Sequence, residues 1–147
     1  SEIAAHVRKA QRASLRPAVR LNGTSDLLWE RIFPDIFDTF DIQYYDYTKY
    51  PLRFRDKRPA NYHLTFSRAE TQENHIEAFK WLLTGGNVAV VFDTPKGQPL
   101  PKRFLSFPII DADQHDMRFL DQPGTVAGLR AKADARKDTT GFVVRVA

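Results

Sequence analysis

The sequence predicts an α/β fold built on a mainly parallel sheet that is open or curled into a partial (β/α) barrel, with antiparallel additions toward the C-terminus. Two observations predict this fold. Short β-favouring runs alternate with helical patterns through residue 92. The run at residues 87–92, Asn-Val-Ala-Val-Val-Phe, is almost uninterruptedly apolar, which is typical of a parallel strand covered on both faces. A chain of 147 residues is expected to form a single α/β domain over 1–147.

The N-terminal elements follow from the proline positions and the period of the apolar residues. Pro17 disfavours helical geometry at the residue before it, so a helix is expected within residues 1–16, at the periphery of the domain. Ser25 or Asp26 can cap a helix whose apolar stripe extends to residue 40. Pro34 breaks or kinks that helix.

The rest of the chain is divided by glycine and by loops rich in proline and charge. Gly85 and Gly86 end a predicted helix over residues 73–83. Residues 50–60 and 94–102 are predicted loops. The predicted strands lie at 18–22, 43–47, 61–66, 87–92, 107–110, 125–129 and 142–146.

Composition excludes several classes of site. The chain contains no cysteine, so these residues cannot supply a thiolate nucleophile, a cysteine-ligated zinc site or an iron–sulfur cluster. No apolar run approaches the roughly 18 residues of a membrane helix, and residues 1–20 lack the apolar core of a signal peptide. We therefore expect a cytoplasmic protein without membrane contact.

Charge is unevenly distributed although its total is only +4. Basic residues concentrate at 1–20 and 49–58, and acidic residues at 26–46. The basic segments would attract a polyanion such as nucleic acid, and the acidic segment would repel it. The alternative is that all three are solvated faces.

Polar residues follow the predicted strands where the carboxyl ends of a parallel sheet meet, which is where α/β folds bind ligands. The turn at residues 22–26 offers backbone N–H groups and hydroxyls to a phosphate or carboxylate. It lacks the glycines and lysine of a P-loop, and its alternative role is a plain helix cap. The candidate ligand-binding residues are Arg20, Asn22, Thr24, Ser25, Lys49, Ser67, Arg68 and Lys132.

Carboxylates at the same strand ends are candidate catalytic residues, namely Asp26, Glu70, Asp111 and Asp113. Such groups act as general bases or hold Mg²⁺, which makes Mg²⁺ the candidate cofactor. Structural alternatives are an Arg68–Glu70 ion pair, turns formed by the aspartates and a solvated segment around Lys132. No motif decides whether the protein is an enzyme.

Several of these stretches resemble a family of uncharacterised bacteriophage and mobile-element proteins, a domain of unknown function. The resemblance spans about residues 15–144 and includes Asn-Tyr-His-Leu-Thr-Phe-Ser-Arg at 61–68. The other stretches are 17–26 with Trp29 and Glu30, 45–49, Glu70, 87–92, 110–113, 116–121, 126–132 and 141–144. The resemblance implies a phage-encoded protein in the host cytoplasm.

The resemblance also implies something about chemistry. Relatives of this kind carry a further N-terminal region with several cysteines, similar to the segment that precedes a radical SAM barrel. This sequence contains no cysteine. The barrel-like fold is therefore expected without cluster-dependent chemistry.

Two functions are consistent with these residues, and a third reading is a remnant of a radical-SAM-like barrel without its cluster. The first is binding of an anionic ligand, a nucleic acid or a nucleotide, at the strand-end rim. The second is non-enzymatic binding and modulation of a host factor through the acidic residues 26–46 or through Tyr44, Tyr45, Tyr47 and Tyr50. The alternative for these tyrosines is burial in the core.

Overall fold

A computed structural model describes residues 1–54 and 57–146 of the chain. In this range an eight-stranded, open and mostly parallel sheet carries short helices on its faces, which confirms the predicted α/β class. The strands are β1 (Ala18–Arg20), β2 (Gln43–Thr48), β3 (Tyr62–Ser67), β4 (Asn87–Phe92), β5 (Arg103–Phe104), β6 (Phe107–Asp111), β7 (Val126–Arg130) and β8 (Val143–Val144). Their spatial order is β1-β2-β3-β4-β7-β6-β5, and β8 pairs with β4.

Four α-helices lie in the described residues: α1 (Glu2–Arg12), α2 (Trp29–Ile32), α3 (Ile36–Thr39) and α4 (Gln72–Leu83). Short 3₁₀ helices cover Pro51–Phe54, Arg118–Leu120 and Ala133–Lys137. The hydroxyls of Ser1 and Thr71 cap α1 and α4 by accepting hydrogen bonds from backbone N–H groups three residues on. No helix among the described residues combines the length and the apolar character that crossing a membrane requires.

The helix expected after residue 26 begins only at Trp29, and it is broken at Phe33 and Pro34 into two one-turn helices, α2 and α3, as Pro34 predicts. The residue at the N-cap of α2 is Leu28, so neither Ser25 nor Asp26 caps it. Their side chains have other partners, because the Ser25 hydroxyl donates to Asn22 and the Asp26 carboxylate accepts from Thr48. Long-range partners therefore outweigh the local capping preference.

The C-terminal strands are mostly parallel rather than antiparallel. β6 is parallel to β7, and both β7 and β8 are parallel to β4. Among the described strands only β5 is antiparallel, and it pairs with β6 through a two-residue turn. Leu105 and Ser106 have φ of 49° and 70° in that turn, as a tight hairpin requires. The longer connections cross a face of the sheet and return the chain in the same direction.

The core lies mainly on the face of the sheet that α4 covers. Phe66 of β3 stacks on Trp81 of α4 with ring centroids 5.4 Å apart, and Phe37 of α3 meets Tyr44 edge-on at 5.1 Å. A smaller cluster joins the buried Ala89, Ala112 and Ala127. Burial of both clusters fixes which strand residues point away from solvent.

The strands end at two levels. Thr48 of β2 lies opposite Phe66, which lies opposite Val88 of β4. β4 continues beyond that point to Phe92, which pairs with Arg130 of β7. β8 pairs with the exposed edge of β4 where β3 has ended. The carboxyl edge of the sheet is therefore stepped, and the step separates two clefts.

Candidate functional site

The first cleft lies at the carboxyl ends of β1, β2 and β3 and has a volume of about 320 Å³. Six of the candidate site residues line it: Arg20, Thr24, Ser25, Asp26, Lys49 and Ser67. Gly23, Tyr47 and Thr48 complete the lining. The parallel strands therefore bring together residues that lie up to 47 positions apart in the chain, as Arg20 and Ser67 show.

Asn22 lies beneath this cleft and is buried. Its backbone N–H donates to Asp46 Oδ1 at 2.7 Å. Its Oδ1 atom accepts hydrogen bonds from the Ser25 hydroxyl at 3.0 Å and from Trp29 Nε1 at 2.8 Å. Asn22 thus holds the shape of the turn from below, and the residues that follow it form the surface of the cleft.

Arg53 organises the wall of the cleft, and its side chain is fully buried. Nη1 lies 2.9 Å from Asp26 Oδ1, and the guanidinium also forms two bonds to the Glu30 carboxylate, at 3.0 and 2.8 Å. Nη2 donates to the Tyr62 hydroxyl at 3.0 Å. From the sequence, Arg53 is expected only as one cation of a basic loop. The signal for its burial is its position between the apolar residues Leu52 and Phe54.

Asp26 connects the turn to β2 and to Arg53. Its carboxylate accepts from Thr48 Oγ1 at 2.8 Å and from the Lys49 backbone N–H at 2.7 Å, besides pairing with Arg53. About a third of the side chain stays exposed at the cleft. The charge of Asp26 is therefore offset by Arg53, and a role as a base or metal ligand stays a prediction.

A buried carboxyl–phenol pair continues the network toward the core. Tyr62 Oη donates to Asp46 Oδ2 at 2.5 Å. Burial raises the pKa of Asp46, although the Tyr62 hydrogen bond opposes that change. Burial also raises the pKa of Tyr62, with a further contribution from Asp46. Tyr62 therefore remains a hydrogen-bond donor throughout the physiological range.

The two cations of the first cleft differ in their partners. Arg20 Nη1 lies 3.2 Å from Asp116 Oδ2, and the guanidinium stacks 4.9 Å above the Tyr47 ring. Lys49 is exposed, and its Nζ lies 5.4 Å from the centroid of the Phe142 ring. Within residues 1–54 and 57–146 no carboxylate pairs with Lys49. Its charge is therefore available to a ligand.

Arg68 and Glu70 lie outside the lining of the first cleft. Arg68 Nη1 donates to the carbonyls of Gly141 and Phe142, each at 3.0 Å, and so ties the end of β3 to the segment before β8. Burial lowers the pKa of Arg68, and Glu70 opposes this effect. Glu70 is exposed, and in the described structure it forms no salt bridge with Arg68.

A second cleft of about 340 Å³ lies at the carboxyl end of β7. Its lining consists of Lys96, Gly97, Asp113, Arg130, Ala131, Lys132 and Arg136. Arg130 pairs with Asp111 at 3.0 Å and with Asp113 at 2.8 Å. These bonds hold the pKa of Asp111 below its ordinary value.

The structure thus divides the predicted site residues between two places. Asp113 and Lys132 line the second cleft with Asp111 behind them, whereas Asp26 lines the first. Arg130 is missing from the residues predicted from the sequence, although it stands at the end of a strand as they do. In the described part of the chain, no group of three or more histidine and carboxylate side chains is placed to hold a metal ion.

The tyrosines differ in exposure. Tyr44 is buried, and its hydroxyl donates to the carbonyls of Ile36 and Phe40. Tyr47 donates to Asp116 at 3.1 Å. Tyr50 is 40% exposed. Tyr44 therefore belongs to the core, which was the alternative to a role in an interface, and Tyr50 is open to solvent.

Comparison with curated proteins and with solved structures gives no match for this chain. A family model described as Gene product 88 matches residues 1–146, which is almost the whole length of the chain. The match agrees with the phage-protein resemblance noted from the sequence. The chain therefore belongs to the Gene product 88 family, a phage-type family without an assigned function.

Proposed function

We propose that the first cleft binds the phosphate of a nucleotide or a nucleic acid. The observation that carries the proposal is the exposed ammonium of Lys49, which has no carboxylate partner in the described structure and stands at a cleft lined with hydroxyls. A lysine presented in this way attracts an anion as a point charge.

Hydroxyl donors supply the directional part of the recognition. The hydroxyls of Thr24 and Ser67 line the cleft with Lys49, whereas the Ser25 hydroxyl already donates to Asn22. A phosphate oxygen accepts hydrogen bonds from such hydroxyls and from backbone N–H groups of a turn. The turn is fixed from below by the bonds between Asn22 and Asp46, so its backbone N–H groups are held in place before a ligand arrives.

The carboxylate at the floor of the cleft does not leave an uncompensated negative charge. Asp26 accepts from Thr48, from the Lys49 N–H and from Arg53, which together satisfy much of its hydrogen-bonding capacity. Arg20 adds a second cation, although Asp116 shares it. The surface that a ligand would meet is therefore dominated by donors.

The test is binding of dTMP and of a fluorescent 12-nucleotide oligo(dT) to the full chain and to Lys49→Gln. Loss of a charge-assisted contact is expected to weaken binding of both by about tenfold or more. Lys102→Gln, at an exposed position beside β5 and at the opposite edge of the sheet, makes the same change of charge. Equal affinity of the Lys49→Gln and Lys102→Gln proteins would contradict the proposal.

A second candidate function is binding of a host protein with a basic surface, and one observation favours it. Leu27, Ile32 and Phe33 are exposed within the acidic stretch at residues 26–46. Exposed apolar side chains beside Asp35, Asp38 and Asp41 are the composition of a patch for a basic partner. A host protein that binds the wild-type chain should then no longer bind the Ile32→Ser/Phe33→Ser variant but should still bind the Lys49→Gln variant. Binding to both variants would rule this patch out.

A further inference from the structure

We propose that the two clefts form one continuous track for the phosphate backbone of a single-stranded nucleic acid, an inference that rests on the phosphate-binding function proposed for the first cleft. A mononucleotide would occupy the first cleft alone. The second cleft would be engaged only by a longer strand. Three features of the structure support this track.

The first feature is a chain segment that joins the clefts. Residues 131–142 run from the end of β7 to the start of β8, and we call them the crossing segment. The beginning of the crossing segment lines the second cleft through Ala131, Lys132 and Arg136. Phe142 at its end lies under the Lys49 ammonium of the first cleft. A strand that follows the crossing segment therefore passes from one cleft to the other.

The second feature is charge. Lys96 and Lys132 are exposed at the second cleft and form no ion pair within the described residues. Asp113, the carboxylate in the lining of the second cleft, forms an ion pair with Arg130, whose Nη1 lies 2.8 Å from Asp113 Oδ2. Asp138 of the crossing segment accepts from the Thr140 hydroxyl and the Val143 N–H. The cations therefore remain available, whereas these two carboxylates already have donors.

The third feature is the distance to be spanned. The order β2-β3-β4-β7 places the end of β7 three strand positions from the end of β2. At about 4.8 Å per position the lateral separation is about 14 Å. Phosphates on one strand follow each other by about 3.4 Å along a stacked helix axis, so this separation takes about four intervals and requires a strand with about five or more phosphates. The exposed Tyr50 beside Lys49 offers a ring for an unpaired base, which favours a single strand over a duplex.

The experiment measures affinity for dTMP, for oligo(dT) of 2, 4, 8 and 12 nucleotides and for a 12-base-pair duplex, each at several salt concentrations. Affinity should rise with length between 2 and 8 nucleotides. Lys96→Gln/Lys132→Gln should weaken binding of the 12-nucleotide strand by about tenfold and lower its salt slope by about 0.7 per lysine, because each phosphate contact releases counterions. Binding of dTMP should be unchanged. Lys9→Gln/Lys102→Gln removes the same charge from exposed positions outside both clefts.

The outcomes separate this inference from the proposal on which it rests. Suppose that Lys49→Gln weakens dTMP binding. If affinity then does not depend on strand length, or if Lys96→Gln/Lys132→Gln binds the 12-nucleotide strand like the control, the track is wrong, whereas phosphate binding at the first cleft is supported. Tighter binding of the duplex than of the single strand would also overturn the track. If Lys49→Gln alters neither ligand, both proposals fail.

Discussion

At the scale of single residues, the buried guanidinium of Arg53 holds together parts of the chain that the sequence leaves unconnected. It joins Asp26 after β1, Glu30 of α2 and Tyr62 of β3. Two carboxylates share this one cation, and the side chain of Glu30 is almost completely buried. Removing the cation would leave a buried negative charge without its partner.

Arg53→Met should therefore lower the free energy of unfolding by about 3–5 kcal/mol, the range found when one partner of a buried ion pair is removed. Chemical denaturation measures this change. Lys80→Met provides the control, because Lys80 pairs with Glu77 at the surface of α4 and its loss should cost less than about 1 kcal/mol. An Arg53→Met protein as stable as this control would contradict the account of the network.

His63 gives the fold a dependence on pH. Burial lowers its pKa to about 4, and the nearby Arg58 and Arg118 act in the same direction. The unfolded chain binds a proton near pH 6.5, whereas folded His63 remains neutral until about pH 4. Stability should therefore fall as pH decreases from 6.5 toward 4, by about 1.5 kcal/mol between pH 6.5 and 5.

Denaturation of His63→Gln at both pH values tests this dependence. The variant should lose less stability than the wild type between pH 6.5 and 5. His6→Gln, which removes a histidine from α1, should behave like the wild type. A decrease of the same size in all three proteins would show that other groups are responsible.

At the scale of elements, the pattern of apolar residues predicts the positions of the strands well and their relative directions poorly. The pattern predicts β4 with its observed bounds because a strand covered on both faces has to be continuously apolar. The helix expected after residue 26 breaks at Pro34 as predicted, but it starts later than expected because Asp26 bonds to Arg53, 27 positions away, rather than capping its own helix. The direction of β6 to β8 depends on whether each connection is a hairpin or crosses a face of the sheet, and no local pattern encodes that.

Gly128 shows how closely the C-terminal strands pack. A Cβ atom there would lie 2.7 Å from Cγ2 of Ile109 and 3.0 Å from Cδ1 of Leu100. Gly128→Ala should therefore destabilise the fold by about 1–3 kcal/mol through overpacking, measured by thermal or chemical denaturation. Gly23→Ala is the matched control, because no atom beyond the glycine and its two chain neighbours lies within 4 Å of the Cβ position. Equal stability of the two variants would contradict this packing.

At the scale of the whole molecule, the sequence predicts that the candidate residues lie along one edge of the sheet, but it does not predict that they divide between two clefts. Six candidate residues meet at the first cleft because the ends of parallel strands share one edge of the sheet. The division of the others follows from register: β3 ends level with Ala89 while β4 continues to Phe92, and β8 fills the step. Register is set by packing across the whole sheet, so the sequence offers no short motif for it.

The most direct test of phosphate binding at the first cleft is a titration of the ¹⁵N-labelled full chain with dTMP, followed by amide chemical shifts. Shifts should concentrate at Gly23, Thr24, Ser25, Lys49 and Ser67, and the Lys49→Gln protein should need about tenfold more dTMP or more to show them. Shifts confined to the exposed acidic stretch, or shifts that persist unchanged in Lys49→Gln, would contradict phosphate binding at this cleft.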